Sequence, residues 1–191
     1  MFLRKAALRP IPPHAVVDDR AVAVIEEGLG SAEDELQATL DRGYNELDRK
    51  QPVLGAWLAD QVSTRRDELV QSLGYFLAVT VYMAFAEAFP TRLHPVEDDA
   101  LRMALDMLAA DEELRAGDPS EVFESDDVVA MAQPALLSFV QHHVEQALEQ
   151  AGGEIDLAEL DRVYRAVLVE VIALSHAVTS PSGHVGPEVL A

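Results

Sequence analysis

Three side chains carry chemistry that an apolar helix does not need. Glu87 sits in MAFAEAF, Glu170 in VLVEVIAL and His143 in SFVQHHVEQA. An unpaired carboxylate is costly to bury, so it either raises its pKa or finds a partner. On a helical wheel His143 falls with Leu136, Val140, Val144 and Ala147, while His142 points to the polar side. Contributed by different helices, Glu87, His143 and Glu170 would form a carboxylate–histidine site for iron, manganese or zinc in a bundle core. A plainer reading stands beside it. Glu87 is three residues before Pro90 and can reach water at a helix end. Glu170 lies at the edge of its stripe, where its stem is buried and its head solvated. His143 is then a packed core residue. The Glu-x-x-His pair used by di-iron bundles does not occur on these helices, and the sequence names no cofactor.

Tyr75, Phe76, Tyr82, Phe85 and Phe89 recur at helical spacing. Such a set either packs a core or lines an apolar pocket for a small molecule between helices. Nucleophile motifs are missing: there is no Gly-x-Ser-x-Gly, no Ser-x-x-Lys and no cysteine. Phosphate-binding glycine loops are missing too. The expectation is a protein that is not an enzyme.

Charge is the strongest compositional feature. Thirty-four acids face fourteen bases, a formal net charge of −20. Nucleic-acid binding depends on Lys and Arg neutralising phosphates, and anionic membranes attract the same residues, so both partners are disfavoured. A DNA-reading helix-turn-helix also lacks its basic recognition helix here. A well-solvated surface, a cation or a basic protein partner fits better. Seven acids gather on one segment: Glu97, Asp98, Asp99, Asp106, Asp111, Glu112 and Glu113. They are where a basic partner would dock if the chain were an acidic DNA mimic or an immunity-type inhibitor. Twelve of the bases are Arg and two are Lys, which a GC-rich or a salt-adapted host would each produce. The function expected from these features is protein–protein interaction, with a homodimer as one arrangement. A metal- or small-molecule-binding bundle is the alternative.

Without cysteine the chain can form neither disulfides nor thiolate metal sites, which suits the cytoplasm. MFLRKAALRPIPP is basic but has no apolar run long enough for a secretory signal. Leu73 to Phe89 is the most apolar stretch. It is shorter than the roughly 20 residues a spanning helix needs, so it reads as a buried core helix.

The elements that must position these residues are helices. QPVLGAWLADQV, from Gln51, and QPALLSFVQHHV, from Gln133, share Gln, Pro, one Leu and the final Val. Each opens a helix that leads into a longer, more apolar one. Pro suits the first helical turn, where its missing N–H costs nothing. The predicted fold is all-α: a helical bundle of two packed helical hairpins, with internal duplication as one origin and surface helices around it. Residues 1–13 read as a flexible arm, 14–180 as one domain and 181–191 as a flexible tail. Ala15 to Leu29 reads as a short helix, although its AVAVIEE core also suits a strand. Leu36, Leu40, Tyr44 and Leu47 form a narrow stripe that predicts a surface helix. Thr64 with Asp67, and Asp156 with Glu159, resemble capping pairs. Helices are further expected over Val96–Ala116, Pro119–Ala132 and Pro134–Ala151. Trp57, opposite the Phe139 position, is expected to be largely buried between the hairpins.

Overall fold

Proline, glycine and acidic caps punctuate the chain where its helices break. The computed structural model describes residues 9–30, 33–116 and 125–181. Within them a 3-10 turn (Pro13–Ala15) is followed by α1 (Asp19–Gly28), α2 (Glu33–Lys50), α3 (Pro52–Ser63) and α4 (Glu68–Ala88). Then come α5 (Asp98–Ala116), α6 (Ser125–Ala132), α7 (Pro134–Ala151) and α8 (Leu157–His176). The described residues are all-α. Most of the arm, the end of the tail and the start of the helix expected from Pro119 lie outside them. The end of the arm is docked: Ile11 packs on the core and Ala15 is fully buried.

The AVAVIEE segment is helix, not strand. The Asp18 carboxylate accepts the Ala21 N–H at 2.9 Å, satisfying a donor that the first turn leaves free. Ala21, Val22 and Ile25 then fall on one buried face. Gly152 closes α7 in the left-handed region, at φ 56°.

α4 and α8 form the centre. Both are buried over most of their length, including Leu77 to Tyr82 on α4 and Ala166 to Ser175 on α8. α4 is long and apolar enough to cross a membrane by composition, yet here its face is spent on neighbouring helices. The two run parallel, since both ends are joined. At the N-terminal end the Asp67 carboxylate caps its own helix through the Leu69 and Val70 N–H groups, at 2.9 and 3.2 Å. Its second oxygen accepts the Asp156 N–H at 2.8 Å. In return Glu159 accepts the Arg66 and Asp67 N–H groups at 2.8 and 2.9 Å. The expected capping pairs are therefore corrected. Asp67, not Thr64, starts α4, and Glu159 caps the neighbouring helix rather than its own. At the C-terminal end Leu93 and Val178 form an antiparallel bridge.

Gln51 and Gln133 do the same work in two places. Their backbones match closely, at φ,ψ of −130°,56° and −129°,62°, and neither side chain caps the helix it precedes. Gln51 accepts the Val96 N–H at 2.7 Å and donates to the His94 carbonyl at 2.9 Å. Gln133 accepts the Val17 N–H and donates to the Ala15 carbonyl, both at 2.8 Å, and donates to Ser175 Oγ at 3.0 Å. In extended chain the C=O of one residue and the N–H two residues on face the same side, so one amide serves both as a neighbouring strand would. Gln51 thus holds the lead-in to α5, and Gln133 the lead-in to α1.

The remaining helices wrap this pair. α3 folds back on α4 and also touches α8, while α7 rests on α6, α4 and α1. α2 is a surface helix, as expected: most of its charged residues are exposed, while Leu40 and Leu47 are buried and Leu36 and Tyr44 pack against the core. Gly43 makes that approach close. A Cβ there would lie 2.6 Å from Met83 Sδ and 2.7 Å from Val79 Cγ1. Trp57 is half-buried rather than enclosed, because Leu54, Leu58 and Val62 define the buried line of α3 and Trp57 stands to one side of it. Phe139, at the matching position of α7, is buried.

Candidate functional site

The predicted metal ligands do not come together. Among the described residues no group of three or more His, Asp or Glu is placed to hold a metal. Glu87 is exposed near the end of α4. His143 lies edge-on to Phe76 and Phe139, with ring centroids 4.7 and 4.5 Å away. Burial, and secondarily its neighbour His142, lower its pKa against a smaller opposing pull from Glu26. Glu170 is not at the edge of its stripe; it is fully buried, and neither carboxylate oxygen has a hydrogen-bond partner. Burial pushes its pKa well above the ordinary carboxylate range.

The acidic segment is not a uniform face either. Glu97, Asp98, Asp99, Asp106 and Glu113 are exposed, and Asp99 pairs with Arg102 at 2.9 Å. Asp111 is buried. Glu112 holds Arg165 of α8 through both carboxylate oxygens, at 2.7 to 3.0 Å. These two acids belong to the packing of α5 on α8 because they share the side of α5 that carries buried Leu101, Ala104 and Leu108.

The aromatic set divides in two. Tyr82, Phe85 and Phe89 are buried, and the Phe85 and Phe89 rings lie 6.0 Å apart. Tyr75 and Phe76 instead look into a groove of about 610 Å³ between α2, α3 and α4. The α2 wall is Leu36, Leu40 and Tyr44, and the α3 wall is Leu58 and Val62. Tyr75, Phe76 and Val79 of α4 form the floor. The Tyr44 and Tyr75 rings lie 5.6 Å apart. None of the lining side chains is charged; Gln37, Ser63, Gln71 and Ser72 supply its polar groups.

Two carboxylates flank this groove. Asp41 accepts from Gln37 at 2.8 Å and stands close enough to Tyr75 to act on its hydroxyl electrostatically. Burial first, and Asp41 second, raise the Tyr75 pKa. Glu68 is exposed at the start of α4, one helical turn before Gln71 and Ser72. The groove can desolvate an elongated apolar surface, while the flanking acids favour a cation beside it. Tyr75 and Phe76 belong to the aromatic set legible in the sequence, whereas the α2 wall does not. The Leu36–Leu40–Tyr44–Leu47 stripe enclosing Gly43 was the signal that α2 lies against another helix. The roles of Gln51 and Gln133 were also missed; a Gln before Pro at two matched places, offering no N-cap of the usual kind, was the clue.

No family model matches this chain, and neither do curated proteins or solved structures.

Proposed function

We propose that this chain is a non-enzymatic binding protein that seats the apolar stripe of a cationic amphipathic helix, carried by a basic protein partner, in the α2–α3–α4 groove. The observation that carries this reading is an uncharged, aromatic-lined groove flanked by Asp41 and Glu68 on a chain of net charge −20. From Leu36 to Leu47 the groove follows α2 for about 16 Å, or roughly three turns of an incoming helix. Apolar anchors would supply affinity, and the acidic surroundings would speed encounter and exclude acidic competitors.

The test uses a fluorescein-labelled Leu/Lys amphipathic peptide of about five helical turns, and a scrambled peptide of the same composition. Ser72 lines the groove and is exposed, so Ser72→Trp fills the groove without disturbing the core. At physiological salt the amphipathic peptide should bind the wild type about tenfold more tightly than Ser72→Trp or than the scrambled peptide does, a difference near 1.4 kcal/mol. Equal binding of the scrambled peptide would reduce the effect to charge alone and remove the reading.

We also propose that the chain is two copies of a four-helix unit, α1–α4 and α5–α8, larger than the expected hairpins. Several observations support this. The two Gln amides make equivalent bonds, each to the other unit, and Asp67 and Asp156 start the two central helices side by side. Gly74 of α4 faces Val163 of α8, the residue in the same register position: a Cβ on Gly74 would come within 2.9 Å of Val163 Cγ1. That is the meeting expected of two parallel helices around a two-fold axis.

A further inference from the structure

The matched caps and amides give each residue of α3 and α4 a counterpart in α7 and α8. Counted from the Gln-Pro starts, Val62 and Ser63 correspond to Val144 and Glu145. Counted from the Asp caps, Gln71, Ser72 and Tyr75 correspond to Leu160, Asp161 and Tyr164. The first set lines the α2–α3–α4 groove. The second lines a separate groove of about 470 Å³ between α7 and α8. It also includes Leu157, whose side chain is left 66% exposed at the first turn of α8.

We propose that this α7–α8 groove is a second binding site of the same kind, so that each chain engages two cationic amphipathic helices, one in each half. The proposal rests on the reading of the first groove. Leu157, Leu160, Val144 and the Tyr164 ring supply an apolar floor. Glu145 on α7 and Asp161 on α8 stand on its two walls, and no Lys, Arg or His lines it. Of the nearby cations, Arg165 is held by both oxygens of Glu112. An apolar strip bordered by carboxylates from both sides complements a helix whose apolar stripe is flanked by Lys or Arg. The second site is also shorter. Phe76, in the floor of the first groove, has Arg165 as its counterpart, and the Arg165–Glu112 pair takes the place of that apolar extension.

The same Leu/Lys peptide tests this by calorimetric stoichiometry on the intact chain. Asp161 is exposed and is the counterpart of Ser72, so Asp161→Trp should fill the second groove as Ser72→Trp fills the first. The wild type should take two equivalents of peptide, each single variant one, and the double variant none. Binding at the second site should be about tenfold weaker than at the first because less apolar surface is covered. Wild type that takes one equivalent, lost in Ser72→Trp and unchanged in Asp161→Trp, would overturn the second site and leave the first intact. Binding lost in Asp161→Trp but unchanged in Ser72→Trp would instead overturn the first reading. An unchanged circular dichroism spectrum and urea midpoint for both variants would show that occupancy, not folding, was altered.

Discussion

The α1–α4 and α5–α8 halves agree where backbone groups must be satisfied and differ where side chains only fill space. Gln51 and Gln133 keep the same residue type, backbone angles and bonding pattern. The groove linings share Tyr75 with Tyr164 and Val62 with Val144, but exchange Phe76 for Arg165 and Ser72 for Asp161. A buried N–H or C=O left without a partner costs the full desolvation of that group, whereas an apolar wall accepts many substitutes. The lesson is that polar satisfaction marks the frame of this molecule more sharply than apolar identity does.

Removing the two amides tests this most severely. Gln133 makes three buried hydrogen bonds, whereas one of the two made by Gln51 is only partly buried. Gln133→Leu should cost about 3–5 kcal/mol and Gln51→Leu about 2–3 kcal/mol, at roughly 1–3 kcal/mol per orphaned buried group. Urea denaturation measures both. A Gln51→Leu protein as stable as the wild type would break the equivalence of the two clamps.

A position where the halves disagree gives the next effect. Val81 of α4 is fully buried, and its counterpart on α8 is the unpartnered Glu170. Glu170→Leu should stabilise the chain at neutral pH by about 2 kcal/mol, the scale of burying a polar group without a bond. Burial raises the folded pKa of Glu170, so the folded state holds its proton more tightly than the unfolded chain does. Its contribution is fully present below the ordinary carboxylate pKa and is lost as pH rises towards the folded value. The gap between variant and wild type should therefore widen with pH in urea titrations. A gap that is constant from acid to neutral pH would mean that Glu170 finds a partner in solution.

The cross-capped ends of α4 and α8 sharpen the comparison with the smallest effects. Asp67 serves two N–H groups of its own helix and one of the other, while Asp156 serves two of its own. Asp156→Ala should cost about 1 kcal/mol, and Asp67→Ala should lower the urea midpoint further. The Asp156 N–H, then the Val70 and Leu69 N–H groups, hold the Asp67 carboxyl below its ordinary pKa against some burial. Its contribution is present above the ordinary value and is lost as pH falls through the folded one. The Asp67→Ala deficit should therefore shrink in acid, opposite in sense to Glu170.

Much of the frame was legible from local chemistry. Pro52 and Pro134 mark helix starts, Gly152 a helix end and Asp156 a cap. The apolar run after Leu73 gave the central helix, and the aromatic set contained two groove residues. Long-range features were not legible. The patterns at Thr64 and Glu159 resemble caps within one helix, but Glu159 serves the start of another. The stripe of α2 was legible as a pattern, but nothing near it in sequence reveals that Met83 and Val79 lie against Gly43. The metal set failed for a related reason. A wheel places His143 and Glu170 on helices, but it does not bring their faces together.

The sequence by itself determined that this chain is helical and where most of its helices begin and end. Helical hydrogen bonds, caps and proline stops all act within a few residues. Tertiary structure alone decided that two Gln side chains would act as strand-like clamps on the opposite half, and that Asp111 and Glu170 would be buried while Glu97 and Asp106 would not. It also decided that Tyr75 and Phe76 would open into a groove while Tyr82 and Phe85 would not. Those outcomes depend on which helix faces meet, and that is set by packing between segments far apart in the chain.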